Sequence, residues 1–153
     1  MPAAPKLVPA SEGGCKIRGV GDHVFFYGTL MSPFNRPGRQ RISPKLNFTG
    51  RGSIQAALFD LGIYPAAIPA GDDSRVWGEV YETSELTVVL AALDEIEGHR
   101  PNEPDRSLYT RVLTDTALED GGIVQAWTYF YNAPLGQAQR IASGDYMVHL
   151  NAR

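Results

Sequence analysis

Five short runs rich in β-branched and aromatic side chains, set against a single long helical period, constrain this chain more than anything else in it. The runs are His23 to Tyr27, Ser53 to Asp60, Arg75 to Tyr81, Tyr109 to Thr116 and Ile123 to Tyr131, each bracketed by turn residues. Gly121 and Gly122 separate the last two closely enough to predict an antiparallel hairpin. The helical period begins at Ser84, where Leu86, Val89, Leu90, Leu93 and Ile96 recur at i, i+3 and i+4. Strands that do not alternate regularly with helices argue against a doubly wound parallel sheet. The pattern therefore predicts an α+β domain, with a small, mostly antiparallel, barrel-like sheet and one principal core helix.

A chain of 153 residues is the size of one ordinary domain. Residues 1–21 are rich in Pro, Ala and Gly without hydrophobic periodicity, which predicts a flexible leader before a single domain over 22–153. The formal charge of -3 gives no global attraction to nucleic acid or to anionic lipid, so neither is expected as a partner. The lone Cys15 cannot form an internal disulfide, and it reads as an incidental thiol. With no apolar run long enough for a secretory signal or a membrane span, the expected location is the cytoplasm.

Glu97 breaks the helical pattern. It falls four residues after Leu93 and seven after Leu90. At about 100° per residue it projects from the middle of the apolar stripe, while Glu95 points to the opposite side and Asp94 to the flank. Gly98 suits the left-handed position that closes a helix, placing Glu97 in the last turn at the negative end of the helix dipole. Burial and dipole both favour the protonated acid, so a carboxyl so placed has a raised pKa and can exchange protons near neutrality. The competing reading is a frayed helix end whose glutamate bends into water.

Tyr27-Gly28-Thr29-Leu30 follows the first strand, and Gly28 allows the sharp turn that can aim successive N–H groups into one space. Tyr64-Pro65-Ala66-Ala67-Ile68-Pro69 reads as a stiff, proline-braced apolar loop. The segment Met31 to Lys45, with three prolines and with Arg36, Arg39 and Arg41, reads as irregular and solvated; a phosphate grip by the arginines is the sharper alternative, without a Gly-rich loop to support it. His23, His99 and His149 are scattered, and no metal-ligand spacing or dinucleotide fingerprint is present, so neither metal nor cofactor is expected.

The order of Tyr27-Gly28-Thr29-Leu30, Tyr64-Pro65 with Pro69, Val76-Trp77-Gly78-Glu79-Val80-Tyr81, Leu93-Asp94-Glu95-Ile96-Glu97-Gly98, Tyr109-Thr110-Arg111 and Ser143-Gly144-Asp145-Tyr146 resembles the γ-glutamylcyclotransferase-like family, over about Val24 to Tyr146. The resemblance implies a γ-glutamylcyclotransferase-like fold and an intramolecular reaction that releases 5-oxoproline from a small γ-glutamyl substrate. It assigns the role of acid/base to Glu97 and glutamyl binding to the turn Tyr27, Gly28, Thr29 and Leu30, with Tyr64 and Tyr109 as further substrate contacts. Ala66 and Ala70 stand where many relatives have glycine, and Tyr146 where a tryptophan is common, departures that could reshape the pocket. The stretch Gly98 to Ser107 follows the helix at once and is expected to act as a rim or lid. Two alternatives stay open at this level: a non-catalytic binding domain that retains the pocket, and the same chemistry on γ-glutamyl-ε-lysine or another γ-glutamyl amide.

Overall fold

The computed structural model describes residues 22–152, so the leader at 1–21 and its Cys15 lie outside the described residues. Strand β1 (His23–Phe26) is buried at all four positions. Both of its edges are paired: antiparallel to β4 (Arg75–Glu82), with Phe26 opposite Glu79, and parallel to β6 (Ile123–Tyr131), with Val24 beside Trp127. A strand covered on both faces and both edges needs a continuous apolar run, which the segment from His23 supplies. β4 continues antiparallel to β2 (Asn47–Asp60), and β6 forms the expected hairpin with β5 (Tyr109–Leu118). β5 returns to β2 at Gly52 and Ser53, which closes a five-stranded barrel whose only parallel contact is β1 with β6.

Helix α2 (Leu86–Glu97) lays Val89, Leu90 and Leu93 into the core formed by Phe25, Ile54, Leu58, Val76 and Val80. It begins at Leu86 rather than Ser84, because Thr83 Oγ1 accepts the Glu85 N–H in a local turn that competes with helix. Two positions on its last turns depart from the expected face. Ile96 is 39% exposed, whereas Asp94 is buried at 9%. The reason is chemical: Asp94 finds polar partners inside, and Ile96 packs on a neighbouring helix.

Other segments correct the sequence reading outright. Met31 to Lys45 is neither irregular nor fully solvated: it contains helix α1 (Pro37–Ile42), and Met31, Arg39 and Ile42 are buried. The Arg39 guanidinium lies 4.6 Å from the centre of the Tyr81 ring and 5.8 Å from that of Phe26, so a charge that reads as a surface residue is held on aromatic faces. The loop at Tyr64 to Pro69 is a strand, β3 (Pro65–Pro69), paired antiparallel with the far half of β2. Its prolines sit at its two ends, where the missing N–H costs least. β2 starts at Asn47, six residues before the expected Ser53: Gly50 and Gly52 interrupt the apolar alternation, while pairing to β4 resumes across a register shift between Phe48 and Gly50. A two-residue strand β7 (Gln139–Arg140) adds to β2, and helix α3 (Tyr146–Asn151) starts at Asp145, whose carboxylate accepts the Val148 N–H. Among the described residues, no helix is long and apolar enough to cross a membrane.

Candidate active site

The site forms where β1 ends. Past Phe26 the chain turns at Gly28, and the Met31 N–H closes the turn on the Gly28 carbonyl at 3.0 Å. A Cβ at Gly28 would lie 2.8 Å from Pro65 Cγ, so only glycine lets this turn press against the start of β3. Tyr27 fixes the same junction from inside. Its hydroxyl donates to the Tyr129 carbonyl at 2.6 Å and accepts the Ala67 N–H at 3.2 Å, tying β6 and β3 to the end of β1. Tyr109 donates to the Pro65 carbonyl at 3.1 Å, and the Tyr64 ring stands 6.3 Å from that of Tyr109.

Opposite this wall, α2 ends. Gly98 takes φ 69° and ψ 33°, and its N–H reaches back to the Asp94 carbonyl, so Glu97 occupies the last turn. Glu97, Tyr27, Gly28, Thr29, Leu30, Tyr64 and Tyr109 all line one cavity of about 380 Å³. The seven residues singled out from the sequence thus meet in one place. Gly28 has no side chain and lines the cavity with its main chain. Residues that the sequence reading did not place at this site also line it: Arg36, Pro37 and Gly38 around the start of α1, then Ile96, Leu108 and Tyr129. The stretch Gly98 to Ser107 does not supply the wall. Its ends are tied together by the Leu108 N–H on the Gly98 carbonyl at 3.0 Å and the Arg100 N–H on Ser107 Oγ at 2.6 Å, and the lining resumes at Leu108.

Burial pushes the Glu97 carboxyl up to about 7, and among the described residues it has neither a hydrogen-bond nor an ion-pair partner. Its proton is therefore exchangeable at neutral pH. The phenols around it behave differently. Tyr27, Tyr109 and Tyr129 are all raised well above the ordinary tyrosine range, first by burial. The Glu97 charge adds to the rise in each. These hydroxyls stay protonated, and each donates its hydrogen to a protein acceptor: the Tyr129 carbonyl, the Pro65 carbonyl and Asp94 Oδ1. All three hydroxyls are thus committed to holding the wall.

Asp94 is the residue that sequence reading underrated. It accepts from Tyr129 at 2.6 Å and from Arg111 Nε at 2.9 Å, and the Arg111 guanidinium lies 5.3 Å from the centre of the Trp127 ring. The signal was present: Asp94 precedes Glu97 by three residues, a spacing that puts both on neighbouring parts of one helical face. No cluster of three or more His, Cys, Asp or Glu suited to a metal occurs among the described residues.

Residues 24–148 match the family described as gamma-glutamyl cyclotransferase, AIG2-like. The chain belongs to that family. The gamma-glutamylcyclotransferase family protein YtfP of Escherichia coli K12 is 32% identical over 125 residues, which cover 81% of this chain and 95% of that protein. The solution structure of E. coli YtfP superposes with a TM-score of 0.59 at 30% identity, covering 83% of this chain and 97% of YtfP. The crystal structure of an AIG2-like protein from Mus musculus superposes with a TM-score of 0.55 at 27% identity, covering 74% and 79% of the two chains. The cavity bounded by Glu97 and the Tyr27–Leu30 turn therefore lies in a γ-glutamylcyclotransferase-like α+β fold, and the family match takes in every residue that lines it.

Proposed function

We propose that this family member is an intramolecular cyclotransferase, which converts a small γ-glutamyl amide into 5-oxoproline and a free amine or amino acid. The observation that supports it is the meeting of one unpartnered, desolvated carboxyl, Glu97, with the backbone turn at Gly28 in a single cavity. A γ-glutamyl compound carries its own nucleophile, so the protein has only to curl the chain and move protons. Glu97 accepts a proton from the α-ammonium group. The freed amine attacks the γ-carbonyl carbon, forming the ring C–N bond, and the proton passes to the amide nitrogen as its bond to that carbon breaks. The second ammonium proton follows through the same carboxyl, so the leaving group departs as an ammonium and Glu97 is again a carboxylate.

In this reading the peptide N–H groups of Gly28 to Leu30 anchor the glutamyl moiety and offset developing negative charge on the carbonyl oxygen. Tyr64 and Tyr109 supply apolar faces that hold the curled chain and exclude water. Neither a metal nor an organic cofactor has a step to perform. The test is 5-oxoproline release from a panel of γ-glutamyl amino acids, peptides and amines. Turnover of at least one member is the expected result, and a panel with no product would leave a non-catalytic binding domain in its place.

A further inference from the structure

The arginines of the segment before β2 do not share one fate. Arg39 is buried on two aromatic rings and hydrogen-bonded to Ser43, and Arg41 is paired with Glu95 at 3.2 Å. Arg36 alone of the three lines the cavity, and among the described residues it has no acidic partner. The only other charged group in that lining is Glu97. Arg36 is also held in place. It precedes Pro37, which confines it to an extended backbone, observed at φ -69° and ψ 148°. Two residues on, Gly38 packs so closely on Ile96 that a Cβ there would lie 2.9 Å from Ile96 Cδ1. The start of α1 is thus docked beside the turn that carries Glu97.

We propose that Arg36 selects the leaving group: its guanidinium receives a carboxylate on the departing half of the substrate, so that γ-glutamyl amino acids or peptides are preferred over γ-glutamyl amines. This rests on the cyclotransferase reading and narrows it. The glutamyl half must sit deep, with its α-amine and the scissile nitrogen both in reach of Glu97 and its own carboxylate near the Gly28 turn. Arg36 is exposed, at the mouth, on a different element from either. What it meets is the part of the substrate that emerges from the deep end, which is the leaving group. A carboxylate there gives the fork-shaped cation a charge-assisted partner. An amine lacking one leaves the guanidinium without a partner at the mouth, and a leaving group bearing a second cation is repelled.

A matched pair of substrates isolates the effect: γ-glutamylalanine and γ-glutamylethylamide differ only by the leaving-group carboxylate. Wild type is expected to favour γ-glutamylalanine by about tenfold in kcat/KM, the scale of one partly exposed charge-assisted contact. Arg36→Ala should bring the ratio close to one by lowering the first value only, and Arg36→Lys should restore part of it. A wild-type ratio near one, a ratio untouched by Arg36→Ala, or an equal loss on both substrates would each overturn the proposal; the last would put the glutamyl carboxylate on Arg36 instead. If neither compound is turned over, both serve as stable ligands, and the full panel decides the cyclotransferase reading separately. Titration calorimetry on wild type and Arg36→Ala then decides the role of Arg36 by itself: an Arg36-dependent preference for γ-glutamylalanine supports it, and its absence overturns it.

Discussion

Two carboxylates three residues apart on α2 have opposite fates. Asp94 points to Arg111 and Tyr129 and is held by both, at 2.9 Å and 2.6 Å. Glu97 points into the cavity, where burial raises it to about 7 without a partner among the described residues to offset the cost. The same helix therefore carries a carboxylate held by two donors beside one whose burial leaves it able to change its charge near neutrality. Position on the face does not separate them; what each faces does. A satisfied acid stabilises and a desolvated, unpartnered one is poised for proton transfer.

The largest test of this contrast is kinetic. Glu97→Gln keeps the size of the side chain but cannot take a proton at neutral pH, so turnover should fall by about 10²–10⁴-fold with the fold intact. A variant that retains more than about a tenth of wild-type kcat would remove Glu97 from the acid/base role. In the wild-type protein the acidic limb of kcat/KM should titrate near 7, where this carboxyl ionises, rather than near its ordinary 4.5. Activity falls as pH drops through that value because the base must be ionised to begin.

The converse test is on stability. Asp94→Ala leaves a guanidinium and a buried phenol without their shared acceptor. It should cost about 2–3 kcal/mol, less than for a fully enclosed pair because Arg111 keeps some contact with water. Chemical denaturation measures this, and a variant as stable as wild type would show that the Asp94 network is idle.

A smaller effect reverses the sign. Glu97 has a folded-state pKa above its unfolded one, so its proton is held more tightly in the folded protein. Below about 4.5 it is protonated in both states and costs nothing; between there and about 7 the folded state loses ground, and above 7 the loss is constant. Glu97→Gln should therefore gain stability relative to wild type across that window, by about 1–2 kcal/mol once partial exposure is allowed for. Denaturant midpoints at several pH values read it directly. A wild-type advantage growing with pH would mean that the carboxylate form of Glu97 is the one stabilised. The smallest change belongs to Glu95, an exposed acid paired to Arg41 at 3.2 Å on the outer side of the same turn. Glu95→Gln should alter stability by less than about 0.5 kcal/mol and leave kcat unchanged.

The sequence by itself determined the β-rich α+β class, the hairpin at Gly121, the end of α2 at Gly98 and the inward direction of Glu97. Each follows from spacing along the chain, and periods of two and 3.6 are local properties. It did not reveal β3, because Pro65 and Pro69 look like loop residues until the unpaired edge of β2 is there to receive the stretch between them. Nor did it reveal α1, too short to show a helical period, whose Arg39 becomes a core residue only when Tyr81 and Phe26 arrive from distant strands. Tertiary structure alone decided that Asp94 is paired and Glu97 is not, and that Arg36 rather than Arg39 or Arg41 reaches the cavity. The physical reason is the same in each case. A side chain's charge state and role depend on its dielectric surroundings and its partners, and those come from residues tens of positions away, brought within hydrogen-bonding distance only by closure of the barrel.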